Sequence, residues 1–168
     1  MGVYTLNYMD RQIISILAVP IKRELGLLDW QIGTMTGLAF ALLYTVAGFP
    51  VARLAERGNR PLIIGCATAL WSGFTTLCGF AQNFVHLLLL RVGVGVGEAG
   101  CMPPAVSLIA DYTTPQQRPF AMATFLAGAP VGSLLGMAIG GVLADLWGWR
   151  TAFIVVGAPG LIFALVVA

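Results

Sequence analysis

The chain has 168 residues, 58% of them apolar and only 10% charged, with a formal net charge of +2. A soluble domain carries about 25% charged residues, and a core of this size could not take in so much apolar surface, so lipid is the solvent that suits this composition. The small, scattered positive charge argues against nucleic acid as a partner.

A spanning helix needs about 20 mostly apolar residues, and the sequence predicts six. The first covers about 3–20 and is interrupted by Asp10 and Arg11; the missing basic leader and these charges argue against a cleavable signal peptide. The second covers 31–52, with Asp29 as its expected N-cap and Trp30 at the membrane interface. The third covers 61–81 and has no charge; the fourth covers 84–110 and carries Arg91 and Glu98. The fifth covers 119–144, again uncharged, and the sixth covers 151–168. Short polar loops are expected at 22–29, 53–60, 82–83, 111–118 and 145–150. Few residues precede the first charges, and the sixth span has no polar exit, so the chain reads as a piece of a longer protein. Arg53, Arg57, Arg60 and Arg118 lie on one side and Lys22, Arg23 and Arg150 on the other, which puts the loop after the second span in the cytoplasm. Cys66, Cys78 and Cys101 form no close metal-type pair and read as small apolar filler.

A charge inside a bilayer is costly, and each one is a functional candidate. Asp10, Arg11, Arg91 and Glu98 sum to zero, as a mutually neutralising cluster should. Arg91 and Glu98 share a helix face about 10 Å apart along the axis, so Asp10, water or a ligand is expected between them. Gly93, Gly95, Gly97 and Gly100 surround the cluster, and Pro103 and Pro104 remove donors that would face the carbonyls of Ala99 and Gly100. A bend is expected there. In the fifth span Gly128, Gly132, Gly136 and Gly140 recur every four residues, a stripe for close helix packing, with Pro130 inside it. Simple packing within a bundle and a sliding contact between two bundles both fit this stripe. Catalysis has no footing: the one histidine, His86, stands at a helix start, and there is no Gly-x-Ser-x-Gly elbow. Neither an enzyme nor a cofactor is expected.

Asn7-Tyr8-Met9-Asp10-Arg11 resembles the Asn-x-x-Asp-Arg signature of the first helix in spinster-like members of the major facilitator superfamily. The run from Arg91 to Ala99 is similar to their fourth-helix Arg-x-x-x-Gly-x-Gly-Glu-Ala, and Gly148-Trp149-Arg150 with Phe153 to the start of helix 6. The loop after the second span resembles the superfamily's Gly-x-x-x-Asp-Arg-x-x-Arg motif. Arg57 and Arg60 match, while Ala52 and Glu56 replace the usual Gly and Asp, and Asn59 is a residue often found there in spinster-like members.

The resemblance implies an all-α, polytopic membrane bundle over 1–168, the N-terminal six-helix half of a twelve-helix carrier working by alternating access. The partners it implies are the C-terminal six-helix half, the bilayer, protons and an amphipathic anionic small molecule or lipid, lysolipid-like or sphingoid-phosphate-like. A bacterial inner membrane is the expected location. Asp10 and Glu98 are the expected proton carriers, with Arg91, Arg11 and Asn7 as substrate-binding residues. Glu56, Arg57, Arg60, Asp111 and Arg118 are the expected cytoplasmic gate. The alternatives are an organic-anion symporter of the hexuronate or phthalate kind and a non-catalytic membrane scaffold.

Overall fold

The structure is a computed structural model that describes residues 1–38, 45–46, 50, 53 and 58–167. Every regular element among the described residues is helical: α1 (Gly2–Leu25), α2 (Asp29–Gly33), a π-helical turn (Thr34–Leu38), α3 (Arg60–Cys78), α4 (Phe84–Ala99), α5 (Met102–Tyr112), α6 (Arg118–Leu126) and α7 (Gly128–Val167). Beyond Leu38, most of the second expected span (31–52) lies outside the described residues. Three stretches among the described residues are long and apolar enough to cross a membrane: Arg60–Cys78, Phe84–Tyr112 and Arg118–Val167.

α1 continues five residues past the expected end at Pro20. A proline costs a helix one backbone bond, which a 24-residue helix absorbs. The true stop is Gly26, left-handed at φ 63°, where the Gly26 and Leu27 amides both donate to the Lys22 carbonyl. Asp29 does not cap α2. The cap position belongs to Leu28, whose amide donates to Gln31 Oε1 at 2.8 Å, while Asp29 pairs with Lys22. Asn59 and Asn83 cap α3 and α4, their side-chain oxygens accepting from Leu62 N at 3.4 Å and His86 N at 2.9 Å.

Two expected spans are broken. The fourth parts at Gly100–Cys101 into α4 and α5, and the fifth at Ala127 into α6 and α7. Each break sits shortly before a proline, where the carbonyl of residue i−4 loses its donor. The expected loop at 145–150 is corrected in the opposite sense. Only Gly148 is non-helical, at φ 82° and ψ 163°, and α7 turns there between two limbs, 128–147 and 149–167.

The packing follows the small residues. The first limb of α7 lies against α1 and runs parallel to it: Gly128 meets Met1 and Thr5, Gly132 meets Thr5 and Tyr8, Gly136 meets Met9 and Gln12, and Gly140 meets Ile13. A Cβ at Gly136 would stand 2.9 Å from the Met9 carbonyl oxygen, so the two backbones approach closely only because glycine is there. The stripe is therefore a contact within the bundle, not between bundles. The second limb runs antiparallel to α3, with Gly157 against Thr76 and Ser72. At the end of the bundle far from Met1, Arg150 joins three elements. Its Nε donates to Glu24 Oε1 at 3.0 Å, and its Nη1 donates to the carbonyls of Gly79 at 3.2 Å and Ala81 at 2.5 Å. Trp149 Nε1 donates to the other Glu24 oxygen at 2.6 Å, and the guanidinium lies 4.3 Å from the Trp149 ring centroid.

Candidate functional site

On α1, Tyr4, Asn7, Tyr8 and Arg11 are spaced at three- and four-residue intervals, which stacks them on one helix face. Across from them stand Glu98 in the last turn of α4 and Cys101 and Met102 at the break before α5. These seven residues line a pocket of about 210 Å³. The break shapes its wall: Gly100 N donates to Gly97 O at 3.0 Å and Cys101 N to Glu98 O at 3.1 Å, a tightened turn made because Pro103 and Pro104 cannot continue the α-helical ladder. Tyr4 OH donates to Tyr8 OH at 3.3 Å, and the Tyr4 ring stacks on Phe125 of α6 at 4.5 Å between centroids.

Arg11 Nε donates to Glu98 Oε2 at 2.6 Å. The Glu98 side chain is wholly buried while 28% of the Arg11 side chain stays exposed, so the arginine is the member of the pair that can reach an incoming molecule. Arg11 also lies 5.4 Å from the Tyr8 ring centroid. Asp10, its neighbour in sequence, turns away from this face and is buried at 2% exposure. Its Oδ2 accepts from Thr75 Oγ1 of α3 at 3.3 Å. Arg91, 3% exposed, interacts electrostatically with both Asp10 and Glu98. The four charges thus form one network, in which Arg91 bears on both carboxylates and Asp10 joins from α1. Glycine makes room for this: a Cβ at Gly93 would stand 2.6 Å from the Phe74 ring, and one at Gly97 2.7 Å from Trp71 N, so α3 comes hard against α4.

Of the expected binding residues, Asn7 and Arg11 line the pocket and Arg91 lies outside its lining. Of the expected gate, Arg60 pairs with Asp111, and Arg118 Nη2 donates to the Ala110 carbonyl at 2.8 Å; Glu56 and Arg57 lie outside the described residues. Sequence reasoning did not single out Tyr4, Thr75 or Met102 and read Cys101 only as filler. The four-residue step from Tyr4 to Tyr8, in register with Asn7 and Arg11, could have found the tyrosine; nothing in the sequence marks Thr75 off from the other threonines of α3.

The profile of the Major Facilitator Superfamily matches residues 1–168. An MFS-type efflux pump of Mycolicibacterium smegmatis is 41% identical over 160 residues, which cover 95% of this chain and 37% of that protein. A probable L-galactonate transporter of Escherichia coli is 32% identical over 160 residues, covering 95% of this chain and 35% of its own length. The crystal structure of a bacterial homolog to the human lysosomal transporter Spinster, inward-facing and occupied, matches with a TM-score of 0.95 at 41% identity, over 98% of this chain and 41% of that one. The chain thus spans little more than a third of the length of these curated relatives.

Proposed function

Because the chain belongs to the Major Facilitator Superfamily, we propose that it is the N-terminal six-helix bundle of a proton-coupled secondary transporter for an amphipathic anion, seated in a bacterial inner membrane. The observation that carries this reading is the half-buried Arg11–Glu98 pair in the pocket wall, backed by Asp10 and Arg91. Burial disfavours a charged carboxyl and a neighbouring guanidinium favours it. A carboxyl held between the two gains or loses its proton when the hydration of the cavity changes. Protonation of Glu98 releases Arg11 to the anionic group of the substrate, and deprotonation restores the internal pair and expels it. Asp10, which accepts from Thr75 and feels the charge of Arg91, is the second proton site. The C-terminal half supplies the facing cavity wall, and Arg60, Asp111 and Arg118, with Glu56 and Arg57, form the cytoplasmic gate. Membership of this family argues for a carrier rather than an enzyme.

The resemblance of the first- and fourth-helix motifs to spinster-like members, alongside the 41% identity to the Spinster homolog, favours a lysolipid-like or sphingoid-phosphate-like substrate. The 32% identity to the probable L-galactonate transporter, together with the compact pocket, favours a second reading as an organic-anion symporter of the hexuronate kind. Uptake by the full-length protein in liposomes, with and without a pH gradient, tests the coupling. Asp10→Asn and Glu98→Gln are expected to lose the response to the gradient, and Arg11→Ala to lose uptake by about tenfold or more, as removal of a charge-assisted contact does. Neutral variants that follow the gradient as wild type does would show that these carboxyls do not carry the proton.

A further inference from the structure

We propose that Asn7 and Glu98 form a hydroxyl-reading subsite, in which one alcohol group of the transported anion accepts from Asn7 Nδ2 and donates to Glu98 Oε1; this rests on the transport reading above. Asn7 is 3% exposed and Glu98 1% exposed, and both line the same pocket of about 210 Å³. Asn7 Nδ2 and Glu98 Oε1 have no hydrogen-bond partner among the described residues. A buried polar atom without a partner is costly, and native structures keep few of them. Two of opposite kind in one small pocket fit a visiting group that satisfies both.

The chemistry of the pocket narrows that group. The second Glu98 oxygen is taken by Arg11 in the internal pair and by the proton once Arg11 turns to the substrate, and the Tyr4 hydroxyl is directed to Tyr8. What remains for a ligand at Asn7 and Glu98 is one amide donor and one carboxyl oxygen, Oε1, that accepts in either state. An anionic oxygen can only accept, and it leaves Glu98 Oε1 unmet. An ammonium can only donate, and it leaves Asn7 Nδ2 unmet. An alcohol does both with one oxygen. The Tyr4 and Tyr8 rings in the pocket wall give the carbon that bears it an apolar surface. The substrate class is therefore a hydroxylated anion, its alcohol held at Glu98 while its charged group meets Arg11. Sugar acids and lysolipid phosphates both offer this pair of groups; simple fatty or aromatic carboxylates do not.

The test uses full-length protein in liposomes and two matched pairs of probes. One pair is D-glucuronate and its 4-deoxy analogue. The other is oleoyl lysophosphatidate and the same molecule without its free hydroxyl. Wild type is expected to prefer the hydroxylated member of at least one pair by about tenfold or more, since a site built to bond a hydroxyl rejects the analogue lacking it. Asn7→Leu is expected to bring that ratio close to one, and Asn7→Ala serves if the larger side chain prevents folding. The pair that shows the preference identifies the source as sugar acid or lipid. If wild type carries a pair but treats both members alike, a water fills the two bonds, and the subsite is wrong while the transport reading stands. The same follows if Asn7→Leu lowers both members in equal proportion. Uptake of neither pair overturns the hydroxylated-anion transport reading and the subsite with it.

Discussion

Arg150 places one guanidinium between the end of α1, the end of α3 and the turn of α7. Its ion pair with Glu24 is half exposed and contributes little by itself. The two carbonyls that Nη1 serves matter more, because removing their donor leaves them short of a partner. Arg150→Ala is expected to destabilise the full-length protein by about 1–3 kcal/mol. Glu24→Gln should cost less, since an amide oxygen still accepts from Trp149. Thermal unfolding in detergent compares the two; equal losses would assign the effect to the ion pair instead. Residues of this kind differ in how visible they are in a sequence. Asp10, Arg11, Arg91 and Glu98 stand out because a charge in an apolar run has no ordinary explanation. Glu24 sits in a polar helix end where carboxylates are common, and Thr75 in a span where a hydroxyl bonds its own backbone as easily as a neighbour, as Thr68 and Thr76 do. Only the fold reveals which side chain each of them meets.

The element scale shows the same division. Long apolar runs announce helices, and the prolines at 103, 104 and 130 announce where a helix loses a bond, so the bend after Glu98 was legible beforehand. The split at Ala127 follows from the same rule applied to Pro130, which the glycine stripe around it obscured. The run 145–150 reads as a loop because Asp145 and Arg150 bracket a glycine, yet helix continues on both sides of Gly148. The stripe itself gives a prediction with an internal control. A Cβ at Gly136 would meet the Met9 backbone at 2.9–3.1 Å, whereas one at Gly141 would meet nothing within 4 Å. Gly136→Ala is expected to cost about 1–3 kcal/mol through overpacking. Gly141→Ala should be neutral or slightly stabilising, because alanine favours the helix by up to about 1 kcal/mol over glycine. Thermal unfolding of both variants checks this, and a Gly136→Ala protein as stable as wild type would mean that α1 and α7 can separate without loss.

Across the whole molecule, α1 is held at both ends by the same helix: by the glycines of the first limb of α7 along its first half, and by Trp149 and Arg150 of the second limb at Glu24. The helix that carries Asp10 and Arg11 is thus fixed to α7 along its first half and at its far end. Membership of the family could be read from two short motifs, but this double grip could not, since it depends on the direction the chain takes at Gly148. That turn has a consequence for biosynthesis. Its φ of 82° with ψ of 163° lies where only glycine sits without strain. A side chain at this position would strain the backbone even though the space around it is open, so Gly148→Ala is expected to lower the yield of folded protein recovered from the membrane, read as the monodisperse fraction in detergent.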